Sequence, residues 1–455
     1  MKDISRRHGR RARRADRAAA IRVLAGAVLA VLAVLTPAPA AAQAAPPPRP
    51  ALRLGDAYRE LDARSPRIGA ARALASAANA TVRSASLPPD PQLQLGFMNY
   101  TVPGFTAMPP LGMMQLQVMQ MVPLPGKLGL AGAAARANAD AAGARADATT
   151  WAARLDLATA FYDLYRIDAQ LAVARRTIAL LGDIEQTAEA MYRVGQAGQP
   201  DVLRAQVELA RMTEDTLRMV AMRAGAAARF DAALDLAADR TPGTPVLPAF
   251  PTAVPAEDSL LALALQSRPS VRADRSELAA ADERRKLAQR NVWPDLAVGV
   301  QIGRPPGGGS TMGSLMVGAS IPVFVRSRQD ADAQAAAAMA QMSAADLRAT
   351  EADTRAGVLE AYADLLRARR LTALYRSTVL PEAEAAATSA LASYRVGHVD
   401  FMTVLDDRLT VDQYERALHQ LEADEGTAWA RLEALAAHPL INANSTAAVA
   451  SGGDQ

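Results

Sequence analysis

Pro91-Gln92-Leu93-Gln94-Leu95-Gly96 is written again, 203 positions later, as Pro294-Asp295-Leu296-Ala297-Val298-Gly299. Each copy alternates apolar residues with polar or small ones, the period of a strand with one apolar face. Working outward, Ser65-Pro66 and Arg268-Pro269 keep the same offset, Val122-Pro123 matches Ile321-Pro322 at 199, and Tyr192-Arg193-Val194-Gly195 matches Tyr394-Arg395-Val396-Gly397 at 202. Residues 50 to 240 are therefore repeated between 255 and 440. An enzyme seldom needs its whole body twice, whereas a tube, channel or solenoid builds its wall from equivalent units.

Strand-like alternation covers four segments: Gln92 to Asn99, Gln115 to Val122, Asp295 to Gly303 and Ser314 to Pro322. In the third, Leu296, Val298, Val300 and Ile302 oppose Ala297, Gly299 and Gln301. These lengths approach the roughly 9 to 11 residues of a tilted membrane strand. A half-buried sheet of a soluble domain reads the same way, so the strands alone leave both readings open. Turn-rich loops, Tyr100 to Gly112 and Arg304 to Gly313, take the chain up and back down twice. Four strands cannot close a barrel, and hydrocarbon does not tolerate open edges. The membrane reading therefore requires an oligomer.

The remainder is alanine-rich and helical in pattern. Leu157, Leu164, Leu171 and Ile178 recur every seven residues, as do Tyr414, Leu421, Ala428 and Leu435 in the second copy, which is coiled-coil spacing. Lys127 to Met191 predicts one helix of about 98 Å; Leu52 to Leu87 and Asp201 to Asp239 predict helices of about 54 and 58 Å. Two short helices end to end thus match one long one, as a cylinder of antiparallel staves requires.

The first 22 residues carry nine basic groups and two acidic ones, followed by an apolar run from Val23 to Leu35 and a small-residue site at Ala40-Ala41-Ala42 or Ala42-Gln43-Ala44. This is the layout of a secretory signal peptide, expected over 1–42. Without it, the formal balance of 50 basic and 47 acidic groups becomes 41 against 45. The remaining chain is thus mildly acidic, with no basic patch to argue for nucleic acid. Cysteine is absent, which excludes disulfides, a thiol nucleophile and thiolate metal sites. The organisation expected is a first repeat over 43–240, a proline-rich linker over 241–255, a second repeat over 256–440 and a disordered tail over 441–455.

Pro89-Asp90-Pro91-Gln92-Leu93, the corner Val122-Pro123-Leu124-Pro125-Gly126-Lys127, Tyr192 to Gly195 followed by Asp201 to Glu208, and Tyr394 to Gly397 followed by Asp400-Phe401 and Val404-Leu405-Asp406 resemble the TolC family of outer membrane efflux proteins. The likeness covers nearly all the chain after the leader. It implies a mainly α fold with a membrane β part: a long antiparallel coiled-coil α-barrel, plus four transmembrane strands per protomer in a 12-stranded barrel shared by a homotrimer. It also implies an outer membrane location among outer membrane lipids, a tunnel through the periplasm, a periplasmic adaptor, an inner-membrane RND-type pump, and no catalysis or cofactor.

The same resemblance implies site residues. The two Tyr-Arg-Val-Gly segments fall where the long helices turn back, making Tyr192, Val194, Gly195, Val396 and Gly397 candidates for an adaptor-contact tip. Each glycine also reads as a helix stop with positive φ, and the two roles are compatible. Asp406 matches an aspartate ringing the inner mouth of such channels, and Tyr394 a tyrosine that helps hold that mouth closed. Thr403 and Val399 stand where the family carries a second aspartate and a gating arginine, so Asp400 and Asp407 are candidates for the missing charge. Arg204, the repeat-mate of Asp406, is a candidate partner for it.

Met113, Met114, Met119 and Met121 cluster around one strand. They read as apolar filler rather than soft-metal ligands, and no metal site is expected. The function expected is the exit duct of a tripartite pump for heavy-metal cations or drugs. The alternatives are the outer membrane component of type I protein secretion and a soluble periplasmic coiled-coil scaffold or adaptor. No nucleophile, base and phosphate-loop set supports an enzyme.

Overall fold

A computed structural model describes residues 50–108, 112–236, 242–305 and 309–442. The expected signal peptide lies outside the described residues. Strand β1 (Ala51–Leu52) leads into α1 (Leu54–Arg64) and α2 (Pro66–Ala85), then β2 (Gln92–Met98), β3 (Met113–Val122), α3 (Lys127–Arg193) and α4 (Gln199–Ala233). The second repeat follows with β4 (Thr244–Pro245), α5 (Glu257–Ser267), α6 (Pro269–Arg290), β5 (Asp295–Arg304), β6 (Met312–Ser320), α7 (Asp330–Leu374), α8 (Leu380–Arg395) and α9 (Phe401–Ala436). Residues 50 onward form one compact unit. The repeats are thus halves of one body rather than separate domains.

Helix α3 runs 67 residues, about 100 Å at 1.5 Å per residue. It packs on α2 and α6 and on α4 and α9. Its heptad residues Leu157, Leu164 and Leu171 are buried, as the spacing predicts. The expected helix from Leu52 to Leu87 is in fact two, because a residue before proline is pushed out of the α region. Ser65, at ψ 117°, breaks the chain ahead of Pro66, and its Oγ caps the next helix by accepting from Ile68 N. Arg268, at ψ 122°, repeats the break before Pro269. Helix α4 ends earlier than expected because Asp235 takes a left-handed φ of 56°, which aspartate tolerates better than most residues.

In the second repeat the long stave is interrupted at Tyr375–Val379, a π turn between α7 and α8. Pro381 sits at the start of α8. Its missing N–H and its ring forbid a regular turn beneath it, and a π turn absorbs the fault.

Strands β2, β3, β5 and β6 form one antiparallel sheet in that order, paired without a bulge. Leu93, Val118, Val300 and Leu315 lie in one row. This apolar face is open: Leu93 is 68 %, Leu315 73 % and Val317 72 % exposed. On the opposite face the two central strands are covered, with Gln115, Gln117 and Met119 half-buried and Gly299 and Gly303 buried, while Gln94 of β2 and Ser314 of β6 are exposed. A soluble half-buried sheet would hide its apolar row. Among the described residues no helix is long and apolar enough to cross a membrane.

The principal core lies at mid-length, where Trp429, Tyr162, Phe161, Phe230 and Leu54 are fully buried. The segment read as a linker belongs to it. Thr244 N and Val246 N donate to Pro50 O and Leu52 O, Leu247, Phe250 and Val254 pack on the core, and Arg369 donates to Thr252 O at 2.8 Å. The expected tail also starts later than 441: Ile441 is buried, and Leu440 N and Ile441 N donate to Glu433 Oε1 at 2.7 and 2.8 Å. Residues 443–455 lie outside the described residues.

Candidate functional site

At the end farthest along α3 from the sheet, both turns are built alike. Gly195 N donates to Tyr192 O and Gln196 N to Met191 O; Gly397 N donates to Tyr394 O and His398 N to Ser393 O. These are Schellman caps, and both glycines have φ 75°. A Cβ would meet nothing within 4 Å at either glycine, so conformation, not crowding, demands glycine there. The caps leave Val194 and Val396 69 % and 66 % exposed, with Tyr192 also exposed. Tyr394 differs from its repeat-mate. It is buried, edge-on to Phe401 with centroids 5.7 Å apart, and its Oη has no partner within the described protomer. Burial, then the charge of Asp201, raises its pKa.

The return helices are capped in complementary ways. At α4 the N3 residue Asp201 accepts from Gly198 N at 3.3 Å. At α9 the N-cap Asp400 accepts from Thr403 N at 3.1 Å and from the Thr403 hydroxyl. Asp400, read as a replacement charge for the mouth, is thus engaged as a helix cap. Its pKa lies below the ordinary carboxylate value, first through the Thr403 hydroxyl, then the Thr403 amide, with the Arg204 charge acting in the same direction. Asp406 is exposed on the second turn of α9 and Asp407 half-exposed. Arg204 makes no ion pair with Asp406 among the described residues. It lines a shallow cleft with Leu203, Val207, Met402 and Leu405.

The tie between α4 and α9 lies farther from the tip, at residues the sequence reading passed over. Asp412 is buried, accepts from the wholly buried Thr177 Oγ1 at 2.7 Å, and faces Arg416 Nε at 2.7 Å. Arg416 reaches Asp215 of α4 at 3.9 Å. Among the described residues this is the ion pair that spans α4 and α9. The signal for it in sequence is an Asp-to-Arg spacing of four on one helix, common on any solvated face.

Above it, the π turn brings Arg376 onto Glu422 Oε1. Tyr165 Oη donates to Glu422 Oε2 at 2.6 Å, and His419 Nδ1 lies 2.9 Å from the same oxygen. Burial would raise the Glu422 pKa, but the hydrogen bonds from His419, Tyr165 and Arg376 and the His419 charge outweigh it and hold it at about 2, against 4.5 ordinarily. A depressed carboxyl contributes stability above its unfolded pKa and loses it as pH falls through the folded one. Glu422→Gln is therefore expected to cost roughly 2–3 kcal/mol at pH 7. The gap from the parent should narrow between pH 4.5 and 2, read by thermal melts across pH. A gap independent of pH would refute the assignment.

The outer membrane efflux protein family profile matches residues 57–234 and 260–438, one segment per repeat. The cobalt-zinc-cadmium resistance protein CzcC of Cupriavidus metallidurans is 28% identical over 263 residues, which span 57% of this chain and 58% of that relative. Among solved structures, VceC of Vibrio cholerae superposes with TM-score 0.73 at 18% identity, covering 85% of this chain and 96% of that one. CusC superposes with TM-score 0.74 at 18% identity, covering 88% and 97%. With the profile match extending over most of both repeats, the chain belongs to the outer membrane efflux protein family.

Proposed function

We propose that this chain is the outer membrane exit duct of a tripartite efflux system. Three copies close a 12-stranded barrel, and their helices continue it as a periplasmic tunnel fed through an adaptor by an inner-membrane RND-type pump. The observation that carries this reading is the inside-out sheet. Its apolar face is exposed on all four strands, its polar and small residues are covered along the central strands β3 and β5, and its edge strands β2 and β6 are unpaired. Lipid suits the first and neighbouring copies the last. The exposed apolar side chains of α4, Leu203, Val207 and Leu217, supply further surface for a neighbouring copy. Small toxic solutes are the cargo, heavy-metal cations foremost, which the likeness to CzcC supports. Asp406 would then line the inner mouth and favour cations, and the Val194 and Val396 caps would meet the adaptor.

The test is the protein mass of the detergent-extracted complex, by light scattering with the detergent contribution subtracted. The expected mass is that of three chains, and a soluble monomer would sink the reading. In the same preparation, Val194→Asp with Val396→Asp should abolish capture of the adaptor while leaving the mass unchanged. Undiminished capture would remove the tip assignment alone.

A further inference from the structure

The methionines of the sheet do not sit where apolar filler belongs. In an antiparallel sheet, directly paired residues share a face. The unbroken register puts Met98, Met113, Met119, Met121, Met312 and Met316 on the face that carries Gln94, Gln117, Gln301 and Ser314. Only Met114 shares the apolar face with Leu116 and Val118. In a closed barrel the polar face looks into the aqueous duct, where a thioether has no packing to provide.

Two glycines of β5 give these methionines room to meet. Met119, Gly299 and Met316 form one row across β3, β5 and β6. A Cβ on Gly299 would lie 3.6 Å from Met316 Cε and 3.7 Å from Met119 Cα. Four residues along β5, Gly303 is paired with Met312, and Met113 Sδ lies 2.9 Å from where a Gly303 Cβ would stand. Gly299 is thus a clearing flanked in register by Met119 and Met316, whereas Gly303 is one flanked in register by Gln115 and Met312 and reached diagonally by Met113. The two clearings are separated by about 13 Å of strand, with the Gln117, Gln301 and Ser314 row between them. No group of three or more His, Cys, Asp or Glu is placed to hold a metal among the described residues, so hard and borderline cations have no comparable site there.

We propose that the duct face of this sheet binds soft monovalent cations, Ag+ or Cu+, at two methionine pairs per protomer: Met119 with Met316 over Gly299, and Met113 with Met312 over Gly303. Thioether sulfur selects such ions over zinc, magnesium or calcium. Neutral ligands in pairs hold them weakly enough to be released, and sites in series suit conduction. The proposal deepens the exit-duct reading and rests on it for the direction the face looks. The binding itself can be tested without it.

The experiment is calorimetric titration of Ag+, in chloride-free buffer, into the detergent-solubilised complex of the full chain, with the complex mass recorded alongside. About two Ag+ per protomer are expected, with sulfur neighbours in the silver X-ray absorption spectrum. Met316→Leu should remove about one of them, and the change to leucine at Met113, Met119, Met312 and Met316 together should remove both. Gly299→Ala keeps every sulfur but fills one clearing, and should weaken one site about tenfold or more. Silver binding equal in the parent and the fourfold leucine variant would overturn the proposal. A complex smaller than three chains would sink the shared barrel while the silver count still decided the methionine pairs.

Discussion

Replacing Gly426 by alanine is expected to cost about 3 kcal/mol and to cut the yield of folded complex sharply. Gly426 lies inside α9, where alanine would ordinarily gain up to about 1 kcal/mol of helix propensity. Here a Cβ would stand 2.2 Å from Tyr162 Cε1 and 2.4 Å from Cζ. The ring has nowhere to go. Tyr162 is fully buried, packs edge-on to Phe161 at 5.4 Å and faces Phe250 at 6.4 Å. Trp429, one turn along α9, is equally buried. The clash therefore outweighs the propensity, and the closeness of α9 to α3 at mid-length depends on this missing methyl. Tyr162→Leu alone should cost about 2–3 kcal/mol through the space it vacates. In the double variant the new methyl enters that space, so the losses should fall short of their sum by more than about 1 kcal/mol. Melting of Gly426→Ala at the parent temperature would show that the two helices can part freely there.

Tyr162 and Gly426 also show what the sequence could not disclose. Heptad spacing marks Leu157, Leu164 and Leu171 as interior, and strict alternation marks the four strands, because both depend on the local period of apolar residues. The repeat supplies the rest of the architecture: equal offsets fix equal elements, and the two Tyr-Arg-Val-Gly turns emerge as matching caps with matching φ. Contacts between distant segments have no such period. Nothing local pairs Gly426 with a residue more than 260 positions earlier. Nothing local shows that Pro245 to Val254 pack into the core, since a proline-rich run reads as a linker wherever it lies. The repeat itself misleads when its copies diverge. Tyr192 and Tyr394 are equivalent in sequence, yet one is exposed and the other buried. Arg204 and Asp406 occupy equivalent positions but are not paired in the protomer, and Asp400 is committed to its cap. The sheet methionines were legible as a cluster, but which of them meet across strands was fixed only by register.

Asp412→Ala is expected to cost about 3 kcal/mol and, in channels reconstituted into planar bilayers, to raise the conductance of the resting state. Asp412 accepts from Thr177 on α3 and pairs with Arg416, which in turn reaches Asp215 on α4. One carboxylate thus holds three helices in register just behind the turns where α4 and α9 start back. Removing it leaves the Thr177 hydroxyl, wholly buried, without its acceptor, and leaves a largely buried guanidinium with the weakly accepting Met212 Sδ at 2.9 Å and one carboxylate 3.9 Å away. Breaking one side of a buried pair costs more than the pair itself contributes, because the survivor stays desolvated. Asp412→Asn separates the two losses. Its amide oxygen can still accept from Thr177 while the charge is gone, so it should cost about 1–2 kcal/mol less than alanine. Arg204→Ala removes an exposed side chain that makes no ion pair with Asp406, and should leave both stability and conductance within error of the parent. If Arg204→Ala raises the conductance and Asp412→Ala does not, the closure is held at the mouth between neighbouring copies rather than within each protomer by the Asp412 and Arg416 tie.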